Sequence, residues 1–282
     1  MAPPNARFHP INLHDVPTLP TIVTQVFEVM RRPTSSAHDV EKVVVNDQAI
    51  SAKILRVANS AFYGFPRRIT TIAHAIAILG FNNVQSMILG IAAFDAFRAK
   101  KLNLYDFWKH SIATGTAARF IAQKVQCPAD EAFTAGILHD VGKLIFVLQA
   151  ENTYQNVLEL QQREESPLSS LEAEQSLLHF THPEAGAVVA ERWALPRRYV
   201  AAIAHHHDPA AAQEETTFCA VIALSNHAAH TAFPGAFSHP LPPDLLPTLL
   251  ETLRLQAQDW EQVLTKLSEA QEGIEAFVNA IR

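Results

Sequence analysis

The residues with most chemistry in them stand in the run Gly136-Ile137-Leu138-His139-Asp140-Val141-Gly142-Lys143. An imidazole and a carboxylate sit side by side there, flanked by Ile137, Leu138, Val141, Leu144, Ile145 and Phe146. Such flanks predict a buried helical run, and a buried charge is costly unless it is paired or bound to a metal. A divalent cation would answer both groups at once. A hydrogen-bonded His–Asp pair steadying a core is the simpler alternative. Further imidazoles bring the metal forward: His110 in Phe107-Trp108-Lys109-His110-Ser111, His182 in Thr181-His182-Pro183-Glu184, and then His205-His206-His207-Asp208. Neutral imidazole with carboxylate suits zinc, iron, manganese or nickel better than calcium. Tandem surface histidines are the plainer reading of His207, and one of the other two in that triplet is open to it as well. Lys143, one turn after Asp140, could contact a substrate phosphate, or lie exposed with its stem on the core.

These groups need helices to hold them. Thr21 to Arg32 carries Ile22, Val23, Val26, Phe27 and Met30 at helical spacing, and Pro33 stops it. Ser36 begins a second helix with Val40, Val43 and Val44 facing in, and Asp47 caps a third over Ala49 to Ser60. Further helices are expected near 71–79, 81–99, 104–125 and 130–148. Thr181 and Glu184 have the spacing of a capping box, which puts His182 in a first helical turn. After the break at Leu195-Pro196, a helix carries the histidine triplet. Adjacent helical residues diverge by about 100°, so His205 and His206 could serve two metal positions, or a metal and a substrate group. Pro234, Pro240, Pro242 and Pro243 form a joint before a terminal helical pair, whose last helix carries Trp260, Val263, Leu264 and Leu267 as a stripe. The aromatic loop Phe62-Tyr63-Gly64-Phe65-Pro66 either tucks under neighbouring helices or faces a partner. Residues 1–16 are polar and proline-bearing, and read as extended.

Composition bounds the rest. Of 282 residues, 48% are hydrophobic and only nine are glycine, which favours a well-filled helical protein. No apolar run reaches the eighteen or so residues of a membrane span, and the amino terminus has no basic-then-apolar signal segment. Cys127 and Cys219 are the only cysteines, so no disulfide framework is implied and a cytoplasmic location is expected. Residues 1–126 hold fourteen Lys and Arg against seven Asp and Glu; residues 127–282 hold eight against twenty-one. The contrast could dock one half on the other or attract an anionic partner; two solvated surfaces are the plainer reading. The acidic whole, without a recognised reading module, speaks against nucleic acid as a partner, and no membrane partner is expected.

The order His, His-Asp, His, His-His resembles that of the HD superfamily of metal-dependent phosphohydrolases. Leu19-Pro20, the stretch Asn46-Asp47-Gln48-Ala49-Ile50-Ser51-Ala52-Lys53-Ile54-Leu55-Arg56-Val57-Ala58-Asn59-Ser60-Ala61, Tyr63-Gly64 and the run from Ile69 to Leu79-Gly80 are similar to its HDOD branch. The likeness covers residues 13–230. It implies an all-α fold: a multi-helix HD-superfamily bundle with an amino-terminal helical subdomain. The expected division is 1–100 for that subdomain, 101–235 for an HD-like subdomain with metal-site remnants, and 236–282 for a carboxy-terminal helical extension. The implied ligand set is His110, His139, Asp140, His182, His205 and His206. The enzymes close the set with a late aspartate, and the matching position in Ala223-Leu224-Ser225-Asn226-His227 is Asn226. An amide can coordinate a cation but brings no charge, so a weak or absent metal is expected.

Two functions follow from the resemblance. HDOD domains are output or adaptor modules of bacterial signalling, mostly without demonstrated catalysis. On that reading the chain binds a signalling protein or a small anionic ligand, with Phe62, Tyr63 and Phe65 as a partner surface. The other reading is an active phosphohydrolase on a nucleotide or phosphodiester, with a metal activating water and Lys143 on a phosphate. Asp208-Pro209 does not replace the Gly-Tyr-Pro signature of cyclic-di-GMP phosphodiesterases, and the missing carboxylate favours signalling.

Overall fold

The computed structural model describes residues 11–97, 99–162, 168–237 and 245–282. The first ten residues of the expected extended stretch, and Pro240, Pro242 and Pro243 of the expected joint, lie outside them. The helices run in the order α1 (Thr21–Met30), α2 (Ala37–Val44), α3 (Gln48–Ala58), α4 (Ile72–Leu79), α5 (Phe81–Ala96), α6 (Tyr105–Lys124), α7 (Ala129–Leu138), α8 (Val141–Gln161), α9 (Ser170–Leu178), α10 (His182–Arg192), α11 (Arg197–His205), α12 (Thr216–Ala232), α13 (Leu245–Thr252), α14 (Ala257–Glu269) and α15 (Gln271–Ile281). A 3-10 turn, Pro209–Glu215, precedes α12. No strand occurs among the described residues, so the fold is all-α. No described helix is long and apolar enough to cross a membrane.

Local signals set the amino-terminal helices. Ser36 forms a capping box with Asp39, Asp47 accepts from the Ile50 N–H at 3.0 Å, and Thr71 accepts from the His74 N–H at 3.1 Å. In α1, Val23, Val26 and Phe27 are buried on one face, the spacing of an amphipathic helix. Asn59, just past α3, ties the aromatic loop shut. Its amide donates to the carbonyls of Leu55 (2.7 Å) and Ile69 (2.8 Å), and its oxygen accepts from the Ile69 N–H (2.7 Å). Asn59→Ala leaves the Ile69 groups without partners. The expected cost is about 2 kcal/mol, read as a lower urea midpoint with an unchanged slope.

The loop itself divides. Phe62 is half-buried against Phe133 and Phe277, with ring centroids at 6.0 and 5.1 Å. Tyr63 stacks on Phe65, and of the three only Phe65 is exposed. Phe62 is thus a packing residue between α15 and α7.

Helix α6 is the axis of the second half, packed by α7, α12, α14 and α15. Ion pairs join basic α6 to the acidic carboxy-terminal helices: Lys109 Nζ to Glu275 and Lys124 Nζ to Asp259, both at 2.7 Å. Helix α15 also packs on α3, and the Arg56 Nε–H donates to the Ala280 carbonyl at 3.1 Å. The 236–282 segment therefore touches both halves.

The expected single helix over 130–148 is two helices. Helix α7 ends at Leu138, α8 begins at Val141, and His139-Asp140 is the joint. Asp140 has φ −98° and ψ 11°, outside helical values. A continuous helix would have aimed the two side chains about 100° apart; the break lets both face inward. Close approach then brings α10 to the joint. A Cβ on Gly142 would stand 2.6 Å from the Gly186 nitrogen and closer still to the His182 carbonyl oxygen. Gly142→Ala must push α8 from α10, with an expected loss of about 3 kcal/mol and displaced histidines, measured by urea denaturation and imidazole NMR shifts.

Candidate metal centre

Asp140 is fully buried, and its two oxygens look onto two groups of histidines. On the Oδ2 side, His139 Nε2 lies at 3.3 Å and His110 Nε2 at 3.8 Å. On the Oδ1 side, His182 Nε2 lies at 3.1 Å and His206 Nε2 at 3.5 Å. His207 completes the second group, its Nε2 3.1 Å from that of His182, which is itself 3.1 Å from that of His206. The groups His110–His139–Asp140 and His182–His206–His207 each bring their ligand atoms within 4.8 Å of one another.

The elements explain these positions. His110 sits on the buried face of α6, and His182 opens α10 behind the Thr181–Glu184 capping box. His205 ends α11, is half-buried and joins neither group. The sequence reading spread His205 and His206 over one helix, but that helix stops between them. The turn that follows aims His206 and His207 inward, so His207 takes the place expected of His205.

Ring hydrogen bonds fix which nitrogens carry protons. The Nδ1–H of His139 donates to the Gly136 carbonyl at 2.8 Å, and that of His206 to the Ile203 carbonyl at 2.9 Å. His182 Nδ1–H donates to Glu174, with 2.8 Å to Oε2. Carbonyls and carboxylates only accept, so each neutral ring turns an Nε2 lone pair toward the centre. This is how metal-binding imidazoles are usually held.

Electrostatics favour the neutral form in three of the rings. Burial pulls His206 down to about 3, and holds His110 and His207 well below the usual imidazole range. For His182, burial is the largest single influence and acts downward, but the Glu174 and Asp140 carboxylates together outweigh it and the pKa rises. Burial alone would raise Asp140; the neighbouring His139 ring, Lys143 ammonium and His182 ring override it and hold the carboxyl well below its usual range.

The residues fit a divalent cation. Both ring nitrogens of His110, His139 Nε2 and Asp140 Oδ1 are buried without a hydrogen-bond partner, although buried polar atoms nearly always have one. Three converging imidazole nitrogens present lone pairs to one another, which only a proton or a metal relieves. A bound ion would act as a Lewis acid toward water or a phosphoryl oxygen. A cavity of about 280 Å³ lined by Asp106, Lys109, His110, Phe233, Gly235 and Gln271 reaches the edge of the first group.

Lys143 departs from the sequence reading, while Asn226 lies where it was expected. Lys143 is neither exposed nor free for a phosphate: it is buried, and its Nζ donates to Asp140 Oδ2 at 2.7 Å and to the Phe237 carbonyl at 2.9 Å. Asn226 is buried beside His110, where its side chain favours the charged imidazole. Glu174 was missed. It is a buried carboxylate on the inward face of α9 with Ser170, Ala173 and Leu178, and a charge on such a stripe was its available signal.

The family model for the HDOD domain matches residues 16–209. A curated relative, an uncharacterized protein of Treponema pallidum (strain Nichols), is 24% identical over 193 residues, which are 68% of this chain. The match spans 37% of that protein's length. Among solved structures, an HDOD domain protein with unknown function from Geobacter sulfurreducens superposes with a TM-score of 0.78 at 23% identity, over 96% of this chain and 94% of that one. A provisionally named phosphohydrolase of Shewanella amazonensis SB2B gives 0.77 at 20%, over 96% of both chains. A provisionally named signal transduction protein of Marinobacter aquaeolei VT8 gives 0.77 at 21%, over 95% and 60%. At these identities the likeness is one of fold.

Proposed function

Because the chain belongs to the HDOD domain family, we propose that it is a signalling module of bacterial regulation, working by association rather than by turnover. The observation that carries this reading is Lys143. Its ammonium occupies the Asp140 oxygen that a cation held by His110 and His139 would need. The first group is thereby neutralised by the protein itself, and Asn226 adds no second carboxylate to win the place back. A metal, if taken up, would go to His182, His206 and His207 on the Oδ1 side, where it would lock α10 and the end of α11 together. Its role there is architectural. Phe65 is the loop ring left free to meet a protein partner.

The test is metal analysis of protein purified without a histidine tag, combined with turnover assays on phosphodiesters and nucleotides. The expected result is at most one equivalent of metal and no turnover. Asn226→Asp is expected to raise metal content at neutral pH, since it adds a carboxylate beside His110. An unchanged stoichiometry would mean that position 226 takes no part.

One observation favours the phosphohydrolase reading. Asp140 stands between two histidine groups with one oxygen toward each, an arrangement able to hold two cations. Two equivalents of metal with measurable phosphodiester cleavage would establish it and displace the signalling reading.

A further inference from the structure

A second cavity, of about 350 Å³, opens where the amino-terminal helices meet α6. Its walls are Phe94 and Phe97 from the end of α5, Leu102 and Leu104 from the connection, and Tyr105 and Trp108 from the first turn of α6. It is separate from the histidine centre. Trp108 and His110 are two residues apart on α6, which places them about 200° apart, on opposite sides of the helix.

The cavity has mixed walls: aromatic rings, polar Asn103, and two donors suited to an anion. Trp108 is 2% exposed, yet its indole N–H has no hydrogen-bond partner. A buried tryptophan N–H usually finds one. Arg282 lines the cavity from the other side, its guanidinium 5.8 Å from the Tyr105 ring centre. Among the described residues no Asp or Glu lines it. The frame is also held in place: Glu151 accepts the backbone N–H groups of Lys100, Lys101 and Leu102 at 3.0, 2.7 and 2.9 Å, which fixes the connection. A concave, largely preformed site with aromatic walls and a few fixed polar groups is the usual form of a small-molecule pocket, and its size falls in the common range.

We propose that this cavity is a binding site for a small aromatic monocarboxylate. The ring would lie among Phe94, Tyr105 and Trp108. The carboxylate would accept from the Trp108 N–H and the Arg282 guanidinium, the fork suited to that group. The walls come from both halves and from the carboxy-terminal segment, so occupancy would be felt by all three. The site stands whether or not the histidine centre holds a metal.

The probes are 1-naphthoate, its neutral analogue 1-naphthamide, and acetate, added to the full chain and followed by saturation-transfer NMR and calorimetry. Naphthoate is expected to bind saturably below about 1 mM, the amide several-fold more weakly, and acetate not measurably. Arg282→Ala, at an exposed side chain, should erase the preference for the anion. Trp108→Phe, which keeps the ring and removes the N–H, should weaken naphthoate several-fold. Ala99→Trp fills the mouth and should abolish binding of both aromatics, with the circular dichroism unchanged. Absence of saturable naphthoate binding overturns the proposal. So does equal affinity for acid and amide, or binding that survives Ala99→Trp, which would locate it elsewhere.

Discussion

Asp140→Ala is expected to cost about 3–5 kcal/mol of stability, because among the described residues Asp140 is the one carboxylate paired with the buried Lys143 ammonium. Among the described residues Lys143 Nζ then keeps the Phe237 carbonyl, and a carbonyl dipole does not offset a full charge away from water. The double variant Asp140→Ala/Lys143→Met removes both charges and is expected to recover most of the loss, since well-packed apolar groups replace buried ion pairs at little cost. Urea denaturation of the four proteins gives the coupling directly. If Asp140→Ala alone is as stable as the parent, the ammonium is not confined as described. Lys143→Met by itself should raise metal content, because it clears Oδ2 and leaves the carboxylate facing His110 and His139 uncompensated.

The second large effect separates the two functions. On the signalling reading, His139→Ala leaves metal content unchanged and keeps partner binding, and Phe65→Ser loses in-cell output while remaining folded by circular dichroism. Phe65 is the residue to change because it is the exposed ring; changing Phe62 would open the packing between α15 and α7. On the phosphohydrolase reading, His139→Ala lowers turnover by orders of magnitude and Phe65→Ser leaves it intact. Loss of output from His139→Ala alone, with measurable wild-type turnover, overturns the signalling reading.

Much of this was legible in residue types. Imidazoles among apolar neighbours marked His110 and His139, and Ser36, Asp47 and Thr181 announced the helix starts they cap. What could not be read was backbone direction at two places. The run from Ile137 to Phe146 is apolar apart from His139, Asp140 and Lys143, with no proline to mark the break at His139-Asp140, so two helices looked like one. In the triplet, the choice between His205 and His207 depends on where α11 stops, and no breaker separates them before Pro209. Lys143 was misplaced for another reason: a lysine is ordinarily solvated, and only the buried carboxylate one turn earlier gives it a reason to go inside.

The seating of Phe277 against Phe62 has a consequence for synthesis. The family match ends at residue 209, but the core continues through Ile274, Phe277, Val278 and Ile281. Chain leaves the ribosome in order, so the surface around Phe62 emerges about 200 residues before its cover; at about 5–20 residues per second it waits roughly 10–40 s. During that interval the nascent amino-terminal half carries a naked apolar seat. A chaperone, or a neighbouring nascent chain on the same message, meets that surface before α15 does.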